Sequence, residues 1–493
     1  MWKNLIAKLR QVMYRMGLIR GIQSVYAKKE IPVNETFFNQ IDVWKALYSG
    51  YHKDFHNVKY HTINGTKTRR MATLNMPKVV SQELATLIFN EKCSINISDE
   101  TLAENIKSVF EANSFYMKFQ DYLEYNFALG GMAIKGYAED NQIKLSYVTA
   151  DCFIPISWDN AGIKEGVFVS EIRRRDKKYT HLEWHLWDGP EYVIRNELYE
   201  SNGSDLGVLV PLNTLFPDLQ EETRIQNLTR PLFVYFKPNT ANNIDLNSPL
   251  GISVYANSLD TLKSLDIAFD SFQREFRLGR KRIIVPASAI KTVIDPQTGQ
   301  QHRYFDATDE VYEAFNLDQD SNEIKDISVE LRVEEHIAAI NALLNILAMQ
   351  IGFSAGSFTF DGKGVKTATE VVSENSKTFR TKQSHETVIE AGLQELVEVI
   401  IQVAELYGFF SRPVEKYKVS VTFDDSIAED QTAEINKQVL LVTNGLTSKK
   451  RAIMKVHGVT EEEAEKILQE ILKEQQTVTA QAIDLFGMGS GGE

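Results

Sequence analysis

The sequence predicts an α+β fold of two to four packed units, and three observations carry that expectation. The chain has 493 residues, well beyond one ordinary domain. Hydrophobic residues make up 43% of it, enough to fill several cores. Apolar positions also change period along the chain, from intervals of three and four to strict alternation and back again.

Residues 1–29 carry seven basic groups (Lys3, Lys8, Arg10, Arg15, Arg20, Lys28, Lys29) and no acid, with Leu5, Leu9, Val12 and Met16 at helical spacing. They read as an amphipathic basic arm that docks on a neighbouring subunit; the competing reading is a membrane-surface helix. Residues 70–130 read helical, with Val79, Val80, Leu84, Leu87 and Ile88 on one stripe and Phe110, Phe115, Phe119, Leu123 and Phe127 on another. From about 132 to 238 the period becomes two, over 167–172, 182–186 and 192–198, with turn residues at 175–177 and 188–190. That pattern predicts an antiparallel meander.

A polar stretch with Pro238, Pro249 and Gly251 ends the sheet, and Leu259, Leu262, Leu265, Phe269, Phe272 and Phe276 then define one helix of about 20 residues. Segments 282–290 and 302–305 flank a turn at 295–299, which reads as a strand pair inserted between helices. Ile337, Ile340, Leu344, Leu347 and Ile351 form the next helical stripe, which stops at Gly352. A loop over 354–366 follows, with Gly356, Gly362, Gly364, Ser357, Phe358, Phe360, Lys363 and Lys366. Thr367 and Glu370 have capping-box spacing and open a pattern reaching Gly408. A continuous helix of that length would span ~60 Å, and Gly392 is its expected kink. A strand over 417–423 and three short helices between 439 and 472 complete the chain, and residues 476–493 read as a flexible tail.

Chemistry is mostly excluded. The 54 Lys plus Arg against 67 Asp plus Glu give a net charge of −13, which argues against a broad basic face wrapping nucleic acid. Two cysteines, Cys93 and Cys152, support neither a disulfide framework nor a four-ligand zinc site, and point to a reducing compartment. No apolar run is long enough for a transmembrane helix. Gly362-Lys363 lacks P-loop spacing, because Ser357 stands where the first glycine belongs and Gly364 where Ser or Thr belongs. His181, Glu183 and His185 alternate on a predicted strand, but Leu182, Trp184 and Leu186 take the other face, so the trio reads as a solvated strand face rather than a metal site. Asp424-Asp425 reads as a capping or turn pair more readily than a carboxylate centre. No cofactor, metal site or catalytic residue is expected.

Charge is strongly segregated. Residues 270–303 hold seven bases (Arg274, Arg277, Arg280, Lys281, Arg282, Lys291, Arg303) against three acids, whereas 304–335 hold eleven acids against two bases. Two opposite blocks beside an inserted hairpin point to docking between subunits or with a partner.

This order of elements resembles the portal proteins of tailed phages, particularly siphophages of Gram-positive hosts. Local wording is similar at 74–85 (LNMPKVVSQELA), 88–91 (IFNE), 249–253 (PLGIS), 276–286 (FRLGRKRIIVP) and 364–371 (GVKTATEV). The resemblance implies a portal fold: a mixed α/β wing over 30–250 with 411–428, helical stem segments at 252–280 and 334–352, a small β-containing clip at 281–333, a tunnel loop at 354–366, a long kinked helix at 367–410 and a helical crown at 429–475. It implies a non-enzymatic ring subunit, dodecameric in the family, at the capsid vertex of a virion assembled in the host cytoplasm. Double-stranded DNA would pass through its channel during packaging and ejection.

The implied partners are the terminase large subunit, the head-completion adaptor of the head-tail connector, and the major capsid and scaffolding proteins, with no membrane. Ser357, Phe358, Phe360, Lys363 and Lys366 would belong to the channel loop, and Arg277, Arg280, Lys281, Arg282 and Arg303 to the clip docking surface. An acidic chain with two lysines on a glycine-bearing loop suits a conduit that must pass DNA without holding it. Rival readings are a ring or scaffold protein without a DNA conduit, a metal-dependent nuclease or hydrolase using Asp424 and Asp425, and a peripheral membrane protein acting through residues 1–29.

Overall fold

The protein is seen in a computed structural model that describes residues 35–62, 65–174, 177–203, 205–279, 283–284, 291–294, 301–304, 325–326, 330–360, 368–424, 431–457 and 464–471. The arm at 1–29, most of 281–333, Lys363, Lys366, Asp425 and the tail at 476–493 lie outside the described residues. Helix α1 (Glu35–Tyr48) and the single turn α2 (Lys53–His56) lead into an antiparallel hairpin of β1 (Asn57–Thr62) and β2 (Gly65–Arg70). Next come α3 (Met76–Ile88), β3 (Ser94–Ile97), α4 (Glu100–Ala112) and α5 (Phe115–Leu129). The helical stripes read from the sequence are the buried faces of α3, α4 and α5. Asp99 caps α4 by accepting from the Leu102 amide at 2.7 Å, and Gly130, at φ +84°, closes α5.

The alternating region folds as two antiparallel sheets rather than one meander. β4 (Met132–Glu139) and β5 (Gln142–Thr149) form a hairpin, and β6 (Phe153–Asp159), β7 (Gly162–Arg174), β8 (Lys177–Asp188), β9 (Glu191–Ser201) and β10 (Val208–Val210) run as a meander with β11 (Glu222–Ile225) also paired to β9. β12 (Phe233–Phe236) turns back to pair with β4, giving the order β12-β4-β5. Alternation shows only that strands exist; it carries no information on which strand a later one joins.

α6 (Leu259–Leu278) has the expected 20 residues. The excursion after it contains β13 (Ile283–Ile284), β14 (Lys291–Ile294), β15 (Gln301–Tyr304) and β16 (Lys325–Asp326); the partner of β15 is β14 rather than the expected segment 282–290, and β13 pairs with β16. α7 (Val333–Ile351) ends at Gly352, φ +90°. α8 (Ala368–Tyr407) is one helix of 40 residues, about 60 Å long. It is helical without a break through Gly392, where a Cβ would lie 2.4 Å from the Phe236 ring, so a side chain there is incompatible with the packing of α8 on β12. β17 (Val419–Thr422) pairs with β3, followed by α9 (Gln431–Thr443), α10 (Lys449–His457) and helical residues 464–471.

The core lies where α5 and the second half of α8 meet the β12-β4-β5 sheet. Phe115, Phe119, Leu123 and Phe127 of α5, and Leu393, Leu396, Val397, Ile400 and Ile401 of α8, are fully buried. Each such side chain contributes about 1.5–3 kcal/mol relative to exposure. Gly251, in the segment PLGIS, faces Gly130 so closely that a Cβ on it would lie 2.5 Å from the Gly130 carbonyl oxygen. Two residues later Ser253 is buried, and the Val254 amide donates to the Phe127 carbonyl at 3.1 Å, docking the approach to α6 onto the end of α5.

The expected solvated face of β8 is instead buried. His181 and His185 are 8% and 2% exposed, and Leu182 and Trp184 on the opposite face are buried as well. Because Glu183 can only accept when ionised, the hydrogen bonds have a fixed sense: the Leu232 amide donates to Tyr192 Oη (3.1 Å), Tyr192 O–H to His185 Nδ1 (2.7 Å), and His185 Nε2–H to Glu183 Oε1 (2.8 Å), while Lys135 binds the other carboxylate oxygen. Burial opposes ionisation of Glu183, yet the Lys135 charge and His185 hold its carboxyl below the usual range. The chain of bonds ties β4 and the start of β12 to β8 and β9, across the two sheets. Its residues alternate as an exposed strand face would; what covers them is a second sheet.

His385 on α8 accepts from the Asn239 amide at 3.0 Å and packs edge-on against Phe127. Burial lowers it from 6.5 to about 4, so the folded protein keeps it neutral where the unfolded chain binds a proton. Its contribution is complete above the ordinary histidine pKa and lost as pH falls from there toward the folded value. His385→Gln, which keeps an acceptor for Asn239, should therefore make stability fall less steeply in mild acid, by about 1 kcal/mol per pH unit. Denaturant titrations at successive pH values measure this; parallel pH profiles for the two proteins would refute it.

Candidate functional site

α6 and α7 form an antiparallel pair joined through the β excursion, and their sequences explain both the pairing and its ends. α6 presents Leu265, Phe269, Phe272 and Phe276 at helical spacing, while α7 buries Ile340, Leu344, Leu347 and Ile351. At the far end, Arg332 before α7 grips Glu275 near the end of α6, with Nη2 at 2.9 Å and Nε at 3.1 Å, and His336 packs at a tilt on Phe272. Arg332 holds the Glu275 carboxyl down at about 2. At the near end, α6 is clamped to the β1-β2 hairpin by two aspartates one turn apart. Asp266 contacts His56 Nε2 (3.0 Å) and accepts the Leu74 amide (2.9 Å); Asp270 takes a bidentate pair from Arg69 (2.7 and 2.5 Å) and the Ala72 amide (3.1 Å).

The loop after α7 starts from a left-handed cap at Gly352, whose carbonyl accepts from Thr381 Oγ1 of α8 at 2.7 Å. Its first half then runs back along α7. The Gly356 amide donates to Asn345 Oδ1 and the Phe360 amide to Asn341 Oδ1, both at 2.8 Å. Asn341 and Asn345 are four residues apart and so share one face of α7, making a track for the loop backbone. Ser354 is buried with its amide on Thr378 Oγ1, and Ser357 Oγ donates to the Ser354 carbonyl. Phe358 packs on Phe353, with ring centroids 5.2 Å apart. Phe360 packs on Phe272 and Phe269 of α6 at 5.7 and 6.3 Å, so this ring rests on α6.

Of the residues singled out from the sequence, Phe360 meets α6 and α7, Ser357 and Phe358 fold back on Ser354 and Phe353, and Lys363 and Lys366 fall outside the described residues. Arg277 is exposed in the last turn of α6. Arg303 sits in β15 opposite Thr292, and Arg280, Lys281 and Arg282 lie outside the described residues. Asp424 is engaged by Asn90 Nδ2 at 3.1 Å and Lys92 at 3.3 Å, and its carbonyl accepts from Lys382 at 2.7 Å, a structural tie between α3, α8 and the end of β17. Among the described residues no three His, Cys, Asp or Glu side chains are grouped to hold a metal, and no helix is long and apolar enough to cross a membrane. Sequence reasoning missed the Asn341 and Asn345 track, whose only signal was a pair of asparagines four apart inside an apolar helix.

The family model described as phage portal protein, SPP1 Gp6-like, matches residues 27–477. Comparison with curated proteins finds no match.

The asparagine track sets an expectation for the loop. Replacing Asn341 and Asn345 together with Ala removes two hydrogen bonds worth about 1 kcal/mol each. Amide exchange at Gly356 and Phe360 should quicken roughly tenfold or more, with the α5 core unaffected. Unchanged protection at both amides would show that the loop is held by its aromatic base alone.

Proposed function

The chain belongs to the phage portal proteins of the SPP1 Gp6-like family, structural and non-catalytic proteins of DNA packaging, and from that membership we propose how its parts serve the role. Copies of the chain close into a ring, dodecameric as in the family, at one capsid vertex. The antiparallel pair α6 and α7 is the stem, the excursion over 281–333 is the clip that meets the terminase large subunit and later the head-completion adaptor, and the loop over 354–366 faces the channel through which double-stranded DNA is packaged and ejected. The helices of 429–475 make the crown. Residues 30–250 with 411–428 make the wing, from which contacts with the major capsid and scaffolding proteins are made.

The observation that carries this reading is the family match across residues 27–477, joined to the stem pair with its loop at one end and a β excursion at the other. Two features of the chain support it. Ile346 and Met349 on α7 are 43% and 60% exposed, on a helix whose outward residues beyond its acidic first turn, Ala338, Ala339, Ala342 and Asn345, are uncharged. Such a face suits a second copy of the same helix far better than water. In α9 and the turn after it, Ile435, Val439, Leu440 and Leu446 are likewise exposed.

The channel role rests on electrostatics. Each phosphate neutralised adds affinity that opposes movement, so a translocation path profits from few and replaceable cations. Lys363 and Lys366 meet that requirement, with the loop's aromatic base anchored on the stem.

Electron microscopy of the purified full chain should show rings with a central opening wide enough for a duplex; single chains, or stacks with no opening, under capsid-assembly conditions would sink the reading. Within assembled rings, Lys363→Glu with Lys366→Glu should lower the amount of DNA packaged per capsid. Packaging equal to that of the parent would remove these lysines from the channel function.

A further inference from the structure

The flank of α6 turned away from α7 lines an open cleft of about 680 Å³ against the β1-β2 hairpin. Tyr60, Arg69, Arg70, Asp270, Arg274 and Arg277 supply its polar surface. Asp270, Arg274 and Arg277 stand at i, i+4 and i+7 and therefore share one side of α6, whereas Phe272 and Glu275, which meet α7, project from the other.

The charge in this cleft is unbalanced. Asp270 is occupied by Arg69 and the Ala72 amide, and Arg69 holds its carboxyl below the usual range. The remaining guanidinium groups have no carboxylate in ion-pair contact among the described residues: Arg70 donates to the Gly50 carbonyl at 2.9 Å and stacks on Tyr51, and Arg274 and Arg277 are exposed. The hairpin adds Lys67, exposed on the face that carries Tyr60 and Arg69, and residues 57–71 contain no acid at all. On a chain of net charge −13 this is a local concentration of cations on a rigid floor, since Arg69 of β2 and the Ala72 and Leu74 amides just after it bind Asp270 and Asp266 of α6.

We propose that this cleft binds the phosphodiester backbone of DNA, at a site separate from the channel loop, without reading sequence. Guanidinium groups match phosphate oxygens in two-pronged geometry, and an open groove with cations along both walls suits a continuous polyanion better than an enclosed pocket for one small anion. Arg274 and Arg277 make the phosphate contacts, Arg70 is held ready by its stacking on Tyr51, and Arg69 positions the hairpin. The existence of the cleft is independent of the portal reading; the choice of DNA as the polyanion rests on it.

The test uses the purified full chain and a short fluorescent DNA duplex, with binding followed by anisotropy over a salt series. For Arg274→Gln with Arg277→Gln, affinity should fall at least tenfold at low salt, and the slope of log K against log salt should become shallower by about 2, the value for two lost phosphate contacts. Both side chains are exposed and free of ion pairs among the described residues, so the variant folds, and its thermal unfolding should match the parent's. Affinity and slope equal to the parent's overturn the inference. So does competition by inorganic phosphate, or by an acidic peptide spanning residues 306–323, at charge concentrations where the duplex competes, since the cleft would then be a site for a lone anion or a protein segment. Rings without cleft-dependent binding would remove this inference alone, whereas cleft-dependent binding by a chain that forms no rings would remove the portal reading and leave the site.

Discussion

The burial of the second half of α8 is the constraint on which the rest of the structure hangs. From Ile389 to Ala404 this helix is enclosed on nearly every side, by β12 and β4 on one face, β17 on another and α3 beyond. A helix so enclosed must satisfy every neighbour at once, and its polar side chains do so by serving as partners for backbone elsewhere. Gln402 accepts the Thr229 amide at 2.9 Å, Gln394 donates to the Val419 carbonyl at 3.0 Å, and His385 accepts the Asn239 amide. Buried polar groups of this kind are costly unless paired, so each fixes the register of the segment it meets.

Position in the chain makes this constraint functional. The same helix begins just after the loop that follows the stem, and its residues Thr378 and Thr381 hold Ser354 and Gly352 at the loop's root. Lys382, 1% exposed, reaches Glu386 and the Asp424 carbonyl, which secures the end of β17 and, through β3, the N-terminal unit. The α6–α7 pair, the loop and the body are thus referred to one rigid rod. Under the proposed channel role, force from moving DNA on the loop would be borne by packed side chains and not by backbone torsions alone.

The charge distribution follows the same logic. Acids on the described stem are largely occupied: Asp266 and Asp270 with the hairpin, Glu275 with Arg332. Pairing acids internally leaves selected cations unneutralised at chosen places, so an acidic protein can still present a basic groove. Net charge therefore says little about local binding, and a chain of net charge −13 still carries a cleft that is locally positive.

Much was legible in the residues themselves. Period alone placed α3, α5, α6 and α7, and Gly352 closed α7 where the pattern stopped. Helices can be read this way because their signals are local, lying within one or two turns. Element order and local wording also pointed to the family that the match over 27–477 then established. Tertiary structure alone decided what depends on residues far apart in the chain: that β12 rejoins β4, that β17 joins β3, that a second sheet covers His185 and Phe216 covers His181, that Gly392 admits Phe236, and that Arg70 and Arg274 face one cleft. A strand's alternation is the same whether its polar face meets water or another sheet, and a cation's spacing is the same whether an acid waits beside it or not. Those outcomes are set by what the rest of the chain brings alongside.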